Sequence, residues 1–237
     1  MKLNIENAQL VLETYLKEKN REKYEHSLAV AEIAEKLARK WRIRVEEAVI
    51  AALLHDIGKS MERKAMIKYC EANNIRISNF ERFENESALH GKISAHIFKA
   101  EFAGGENSKR TVRKIAHAIE SHVAGSKKMS LLDKVVFLAD DLQSKADGAK
   151  RLDEILNKPG RRPDRHIGRI IARKIEDAEK KNRLPNDGLL DLIPEGPVGE
   201  TKRARFLKRY GWKGTSNKAN RSKKNRESKR NCKTILA

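Results

Sequence analysis

Two residues adjacent in the chain, His55 and Asp56, close the apolar run Ala48-Val49-Ile50-Ala51-Ala52-Leu53-Leu54 and precede Ile57-Gly58-Lys59. An imidazole offers a nitrogen and a carboxylate two oxygens, so such a pair can ligate one cation and lend an oxygen to a second. At the end of so apolar a segment, unpaired charge is costly and a metal ion relieves it. A lone His-Asp pair is more simply a polar helix stop. Here four further residues stand in comparable places. His26 lies in Tyr24-Glu25-His26-Ser27-Leu28-Ala29-Val30 and His90 in Ala88-Leu89-His90-Gly91. His122 ends the stretch that begins at Ile115, and Asp140 follows Val135-Val136-Phe137-Leu138-Ala139. His26, His55, Asp56, His90, His122 and Asp140 are therefore the candidate metal ligands.

The order His, His-Asp, His, His, Asp resembles the signature of HD-domain metal-dependent phosphohydrolases. Within that group the flanking segments Tyr24-Glu25-His26-Ser27, Leu53-Leu54-His55-Asp56, Leu89-His90-Gly91, Met129-Ser130-Leu131-Leu132-Asp133-Lys134 and Phe137-Leu138-Ala139-Asp140 are similar to the YqeK family. The similarity runs from about Arg21 to Asp140, and more weakly to about Leu192. It implies an all-α, HD-domain helical bundle and symmetrical cleavage of diadenosine tetraphosphate to two ADP. It also implies two divalent transition-metal ions, iron above all; the mixed imidazole and carboxylate donors suit manganese as well. On the resemblance Asp56 bridges the two ions, with His26, His55 and Asp140 on one and His90 and His122 on the other. Asp56 and Lys59 are then the expected catalytic residues, the Lys59 ammonium meeting a phosphate oxygen as a point charge. The chain departs from the family in two places. Val123-Ala124 stand where a pair of threonines is usual, and Gln143-Ser144 where an acidic residue precedes proline. The ligands are kept while the residues nearest the substrate differ.

The elements that must position these residues read as helices. Ile5 to Lys19 carries an apolar stripe of Leu10, Val11, Tyr15 and Leu16. Arg21 to Lys40 places His26, Val30, Ile33 and Leu37 on one face, so the candidate ligand shares the core-packing side. Val45 to Leu54 is nearly all apolar and should be central. Glu62 to Asn73 ends in Asn73-Asn74, which suits a helix C-terminus. Ile75 to Ser87 is mixed and reads as a loop or short turn. Helices follow over His90 to Phe102, Lys109 to His122 and Ser130 to Leu142, punctuated by Gly104-Gly105 and Gly125. Arg151 to Asn157 and Asp164 to Lys181 flank Pro159-Gly160, and Pro185, Pro194 and Pro197 mark the end of the domain. His96, His117 and His166 fall off the faces that carry the six candidates and read as ordinary histidines.

Length and charge bound the rest. The 237 residues suffice for one well-buried domain and an appendage. No period-2 alternation suggests a sheet. Cys70 and Cys232 are too isolated for a disulfide framework, and no early apolar run resembles a signal peptide, so a cytoplasmic location is expected. The net charge of +19 is concentrated: from Thr201 onward 14 Lys or Arg face the single acid Glu227. The expected organisation is a phosphohydrolase domain over 1–199, with its ligand core at about 21–140, and a basic, disordered tail over 200–237. Such a tail suits non-specific contact with RNA or the ribosome, and no segment suits a membrane. Two other functions fit the same residues: hydrolysis of another nucleotide (a mono- or triphosphate, or a cyclic dinucleotide), and a non-catalytic scaffold with an RNA-binding tail.

Overall fold

A computed structural model describes residues 1–83, 85–104, 106–126, 128–158 and 163–180. All of its regular elements are helical. The chain runs through α1 (Ile5–Leu12), α2 (Arg21–Lys40), α3 (Val45–Leu54), α4 (Arg63–Ala72), α5 (Asn79–Phe83), α6 (His90–Phe102), α7 (Lys109–Ser121), α8 (Leu131–Gln143), α9 (Gly148–Asn157) and α10 (Asp164–Lys180). Single 3-10 turns at Ile57–Ser60 and Glu86–Leu89 follow α3 and precede α6. The all-α expectation holds among the described residues. The basic tail over 200–237, Pro159-Gly160 and the three boundary prolines lie outside them. No helix among the described residues is long and apolar enough to cross a membrane.

α3 is the central element. Every residue from Glu47 to Leu54 is buried, as expected of a helix apolar on all sides. It packs most extensively on α2, whose buried face is Ser27, Val30, Ala31, Ala34, Leu37 and Ala38. This face differs from the expected stripe, because Ile33 is only half-buried while the alanines are covered. Small side chains on both helices let the two pack closely. Leu53, Leu54 and Ile57 bracket the His55-Asp56 turn, none more than 2% exposed. Their burial contributes roughly 2 kcal/mol each, the same order as the several kcal/mol that sinking a carboxylate costs. The apolar frame is thus able to hold a charged turn inside the protein.

Local signals set the helix ends. Asn4 and Asn20 accept hydrogen bonds from the backbone N–H of Asn7 and Lys23, capping α1 and α2. Ser130 and Asp133 form a reciprocal capping box at the start of α8. Asn74 takes φ 55°, the left-handed conformation that ends α4. After α1 the helix continues as a π-helical turn, Glu13–Lys17, so the first helical stretch is longer than α1 alone.

One expectation is revised. The segment from Ile75 to Ser87 is not only loop: it holds α5 and the start of the 3-10 turn that leads into His90. Beyond Asp56 the backbone tightens into the Ile57–Ser60 turn, which carries Lys59. That tightening is supported by Gly58. A Cβ there would lie 2.5 Å from the His90 carbonyl oxygen, and the Gly58 N–H donates to Ser94 Oγ at 2.9 Å. The close approach seats the Asp56 turn against the first turn of α6.

Candidate metal centre

Three histidines reach the centre by one local device. His55 and His122 are the C-terminal cap residues of α3 and α7, and His90 follows the Glu86–Leu89 turn. In each, Nδ1–H donates to the carbonyl three residues earlier: His55 to Ala52 at 2.6 Å, His90 to Ser87 at 2.5 Å, His122 to Ile119 at 2.6 Å. The Ala52 and Ile119 carbonyls lie at helix C-terminal ends, where intrahelical partners are lacking, and these bonds satisfy them; the Ser87 carbonyl also accepts the His90 backbone N–H. They also place the proton on Nδ1 and leave the Nε2 lone pair facing inward. His26, on α2, is oriented from another element, its Nδ1 lying 2.5 Å from Gln143 Oε1 of α8.

The inward atoms form two groups that share Asp56. In the first, His26 Nε2 lies 3.2 Å from His55 Nε2 and 3.1 Å from Asp140 Oδ1. Asp56 Oδ2 joins it at 3.5 Å from His55 and 3.7 Å from His26. In the second, His90 Nε2 and His122 Nε2 are 3.0 Å apart, with Asp56 Oδ1 at 3.2 and 3.5 Å. One carboxylate oxygen therefore serves each group. Metal–ligand bonds of about 2.1 Å separate neighbouring ligands by about 3.0 Å in octahedral and about 3.4 Å in tetrahedral coordination. The spacings of 3.0–3.2 Å fall in that range, and the remaining Asp56 contacts, at 3.5–3.7 Å, lie a few tenths of an ångström beyond it.

The electrostatics point the same way. Asp56 is fully buried, and its Oδ1 has no hydrogen-bond partner. That oxygen is bracketed by two nitrogens whose protons are on the far side of their rings. Lone pairs so crowded repel unless a positive charge, a metal ion or a shared proton, sits among them. Burial raises the Asp56 carboxyl, but the His55, His122 and His90 imidazoles outweigh it and hold the group well below the usual carboxylate range. Asp140 is likewise low, burial being overcome by the His26 hydrogen bond and by His55 and His122. Burial pushes His55 down, and His122 down to about 4, so both are neutral near pH 7 and able to ligate. For His26 burial also lowers the value, yet the Asp140 hydrogen bond and the charges of Asp140 and Asp56 leave it raised. A proton therefore competes for the first group chiefly at His26.

The HD domain family matches residues 24–145 of the 237, a span that contains all six of these side chains. The chain belongs to the HD-domain family. A Staphylococcus aureus protein named "Bis(5'-nucleosyl)-tetraphosphatase, symmetrical" is 30% identical over 141 residues, covering 60% of this chain and 67% of that one. A Bacillus subtilis protein of the same name is 26% identical over 51% of this chain and 61% of its own length. A Mycoplasma genitalium protein named "Probable nicotinate-nucleotide adenylyltransferase/Ap4A hydrolase" is 26% identical over 51% of this chain. This chain spans about a third of the Mycoplasma relative and about two thirds of the staphylococcal one. The fold also matches the crystal structure of an HD superfamily hydrolase from Clostridium acetobutylicum. That match has a TM-score of 0.66 at 21% identity, over 86% of this chain and 97% of the other.

Within this HD domain the other sequence candidates stand as follows. Lys59 Nζ donates to Asp56 Oδ2 at 2.8 Å, so it lies at the centre with its charge on the shared carboxylate. His117 pairs with Asp133 at 3.0 Å and His96 with the Tyr69 hydroxyl at 2.9 Å, both away from the two groups. Gln143, read from sequence only as a departure, orients His26; its place one helical turn after Asp140 was the available signal. The three backbone carbonyls behind His55, His90 and His122 carry no side-chain signal at all.

Proposed function

We propose that the protein is a metal-dependent phosphohydrolase of nucleotide phosphoanhydrides, with diadenosine tetraphosphate cleaved symmetrically to two ADP as its substrate. The observation that carries the reading is the division of Asp56, one oxygen facing each histidine group. His26, His55, Asp140 and Asp56 Oδ2 would hold one divalent ion, and His90, His122 and Asp56 Oδ1 the other. Two such ions neutralise phosphate charge and lower the pKa of a water to within reach of neutral pH. Gln143 and the Ala52, Ser87 and Ile119 carbonyls keep the imidazoles in place and in the right tautomer, so little reorganisation is needed on binding. Lys59, itself part-exposed, reaches the buried shared carboxylate, and its ammonium would donate to a phosphate oxygen at the same edge. Relatives named for this activity support the substrate, and the absence of a hydroxyl in the Val123-Ala124 side chains makes product analysis the deciding measurement.

Incubation with diadenosine tetraphosphate is expected to give ADP alone, in a reaction stopped by chelation and restored by manganese or ferrous iron. AMP with ATP would establish asymmetric cleavage, and turnover unaffected by chelator would remove the metal from the mechanism. For the basic tail from Thr201 onward we propose a sequence-indifferent contact with polyanions. A chain ended near Gly199 should keep its turnover. The full chain should bind a random oligonucleotide with an affinity that falls roughly a thousandfold between low and moderate salt, as about six phosphate contacts imply. Equal, weak binding by both chains would dismiss the contact.

A further inference from the structure

Beside Asp140 lies a pocket of about 180 Å³. Asp140, Asp141 and Lys145 line it from the end of α8, and Arg173, Lys174 and Asp177 from α10. A single water needs about 10–15 Å³ of such space, so the volume admits a phosphate group with its hydration. The charges around it are unequally engaged. Asp141 is held by two guanidiniums, Arg151 at 3.2 Å and Arg173. Those three side chains therefore hold one another, with one positive charge in excess, and lock α8 to α9 and α10. Lys174 is different. Among the described residues no carboxylate lies within ion-pair distance of it.

What holds the Lys174 ammonium is apolar and backbone. It lies over the Phe137 ring, 4.7 Å from the centroid, and donates to the Val123 carbonyl at 3.2 Å. An ammonium carries three donors, and a ring face and one carbonyl leave capacity unused. Asp140 and Asp141 act on this half-buried cation from beyond contact distance, so its spare donors are not taken up by a carboxylate. Its position gives those donors a partner. Val123 directly follows His122 of the second group, while the pocket wall includes Asp140 of the first. Lys174 is thus linked to the residue after His122 and to the pocket wall at Asp140, so an anion bound at the two groups could reach it. Val123 and Ala124 bring no side-chain donor to that edge, and Lys174 does.

We propose that Lys174 anchors the phosphate chain of the substrate, binding an oxygen of a phosphate adjacent to the one that is hydrolysed. The inference rests on the phosphohydrolase reading and adds to it a binding subsite supplied by α10. Lys145, exposed at the rim of the pocket, steers the anion without fixing it.

Two variants separate the ammonium's role from a structural one. Lys174→Met keeps an unbranched apolar stem over Phe137, and Lys174→Gln keeps a donor for the Val123 carbonyl; each lacks the charge. Metal content is measured with ADP and tripolyphosphate affinity by calorimetry, and with kcat and KM on diadenosine tetraphosphate. Both variants should retain wild-type metal content and melt near the wild type. Their affinity for ADP and tripolyphosphate should fall ten- to hundredfold, the range of one charged hydrogen bond. KM should rise by a similar factor with kcat changed less than threefold, and Lys174→Arg should recover most of the loss. Wild-type affinity and KM in both variants would overturn the subsite. So would loss of metal from both, or a wild-type protein that binds neither probe. If binding depends on Lys174 but diadenosine tetraphosphate is left intact, the subsite stands and the assigned substrate fails.

Discussion

Asp56→Ala is expected to remove both metal equivalents at once and to lower turnover at least a thousandfold. The size follows from the chemistry: metal ions contribute several kcal/mol to a hydrolytic transition state, and each 1.36 kcal/mol is tenfold in rate. The contrast with single-group variants makes the prediction specific. His90 lies 3.2 Å from Asp56 Oδ1 and belongs to the second group only. His90→Ala should therefore lose one equivalent and keep the other, bound by His26, His55, Asp140 and Asp56 Oδ2. Elemental analysis of the purified proteins after equilibration with manganese checks both statements. Equal metal loss from Asp56→Ala and His90→Ala would show that the carboxylate is not shared. Wild-type turnover in Asp56→Ala would remove the whole centre from the mechanism. Circular dichroism of the variants guards against unfolding as the cause.

The six central residues were legible because each is chemically conspicuous where it stands. His55 and Asp140 follow apolar runs, where an ionisable group is out of place unless something pairs with it, and His122 ends an amphipathic helical stretch. Their partition into two groups was not legible from spacing. It came from resemblance, since sequence does not tell which faces of α2, α3, α6, α7 and α8 meet. The orienting partners were hidden for different reasons. Gln143 was visible as a residue but not as a partner, because its bond to His26 spans 117 positions. The Ala52, Ser87 and Ile119 carbonyls have no side-chain identity to read. Lys174 was one cation among 52 Lys and Arg, and only the Phe137 ring and the Val123 carbonyl single it out.

The fold was legible wherever one strong period ran between clear ends. α2, α3 and α6 occupy the stretches expected of them because Asn20, the apolar block before His55 and the Gly104 break mark their limits. The signal failed over Ile75 to Ser87. There Ser78 and Glu81 satisfy each other's backbone and side chain, the Ser78 N–H donating to Glu81 and the Glu81 N–H to Ser78 Oγ. Lys92 of α6 adds an ion pair to Glu81 at 2.7 Å. A five-residue helix held by such polar contacts has too few turns to display an apolar period. The face of α2 was misjudged by part of a turn for a related reason. Alanines are weak hydrophobic markers, so Ile33 attracted the stripe that Ala31, Ala34 and Ala38 in fact occupy.

With its metal removed, the protein is expected to lose stability steeply as pH falls from about 6.5 toward about 4, and the centre itself is the cause. His122 is 2% exposed and its value is pushed down to about 4 in the fold, against 6.5 for the free side chain. Below pH 6.5 the unfolded chain takes up a proton that the folded one refuses, so acidification favours unfolding until the folded value is reached. That difference corresponds to about 3 kcal/mol at the acid end of the window. His55 is lowered by burial and acts in the same direction. Asp56 and Asp140, both lowered, stabilise the fold above the ordinary carboxylate range and lose that contribution only at still lower pH. His26 opposes them. Its value is raised, so its contribution is full below the free-imidazole value and fades as pH rises through the folded one. Two depressed imidazoles against one raised leave a net loss on acidification. For a domain of this size 1 kcal/mol shifts the melting temperature by about 2–4 °C, so His122 alone predicts a fall of about 10 °C. Melting curves in chelator at several pH values measure it, and a flat profile would show that the histidines titrate freely. His122→Gln, which cannot take the proton, should flatten the profile. Metal should flatten it too, because an ion bound to neutral imidazoles excludes the same protons until acid displaces it.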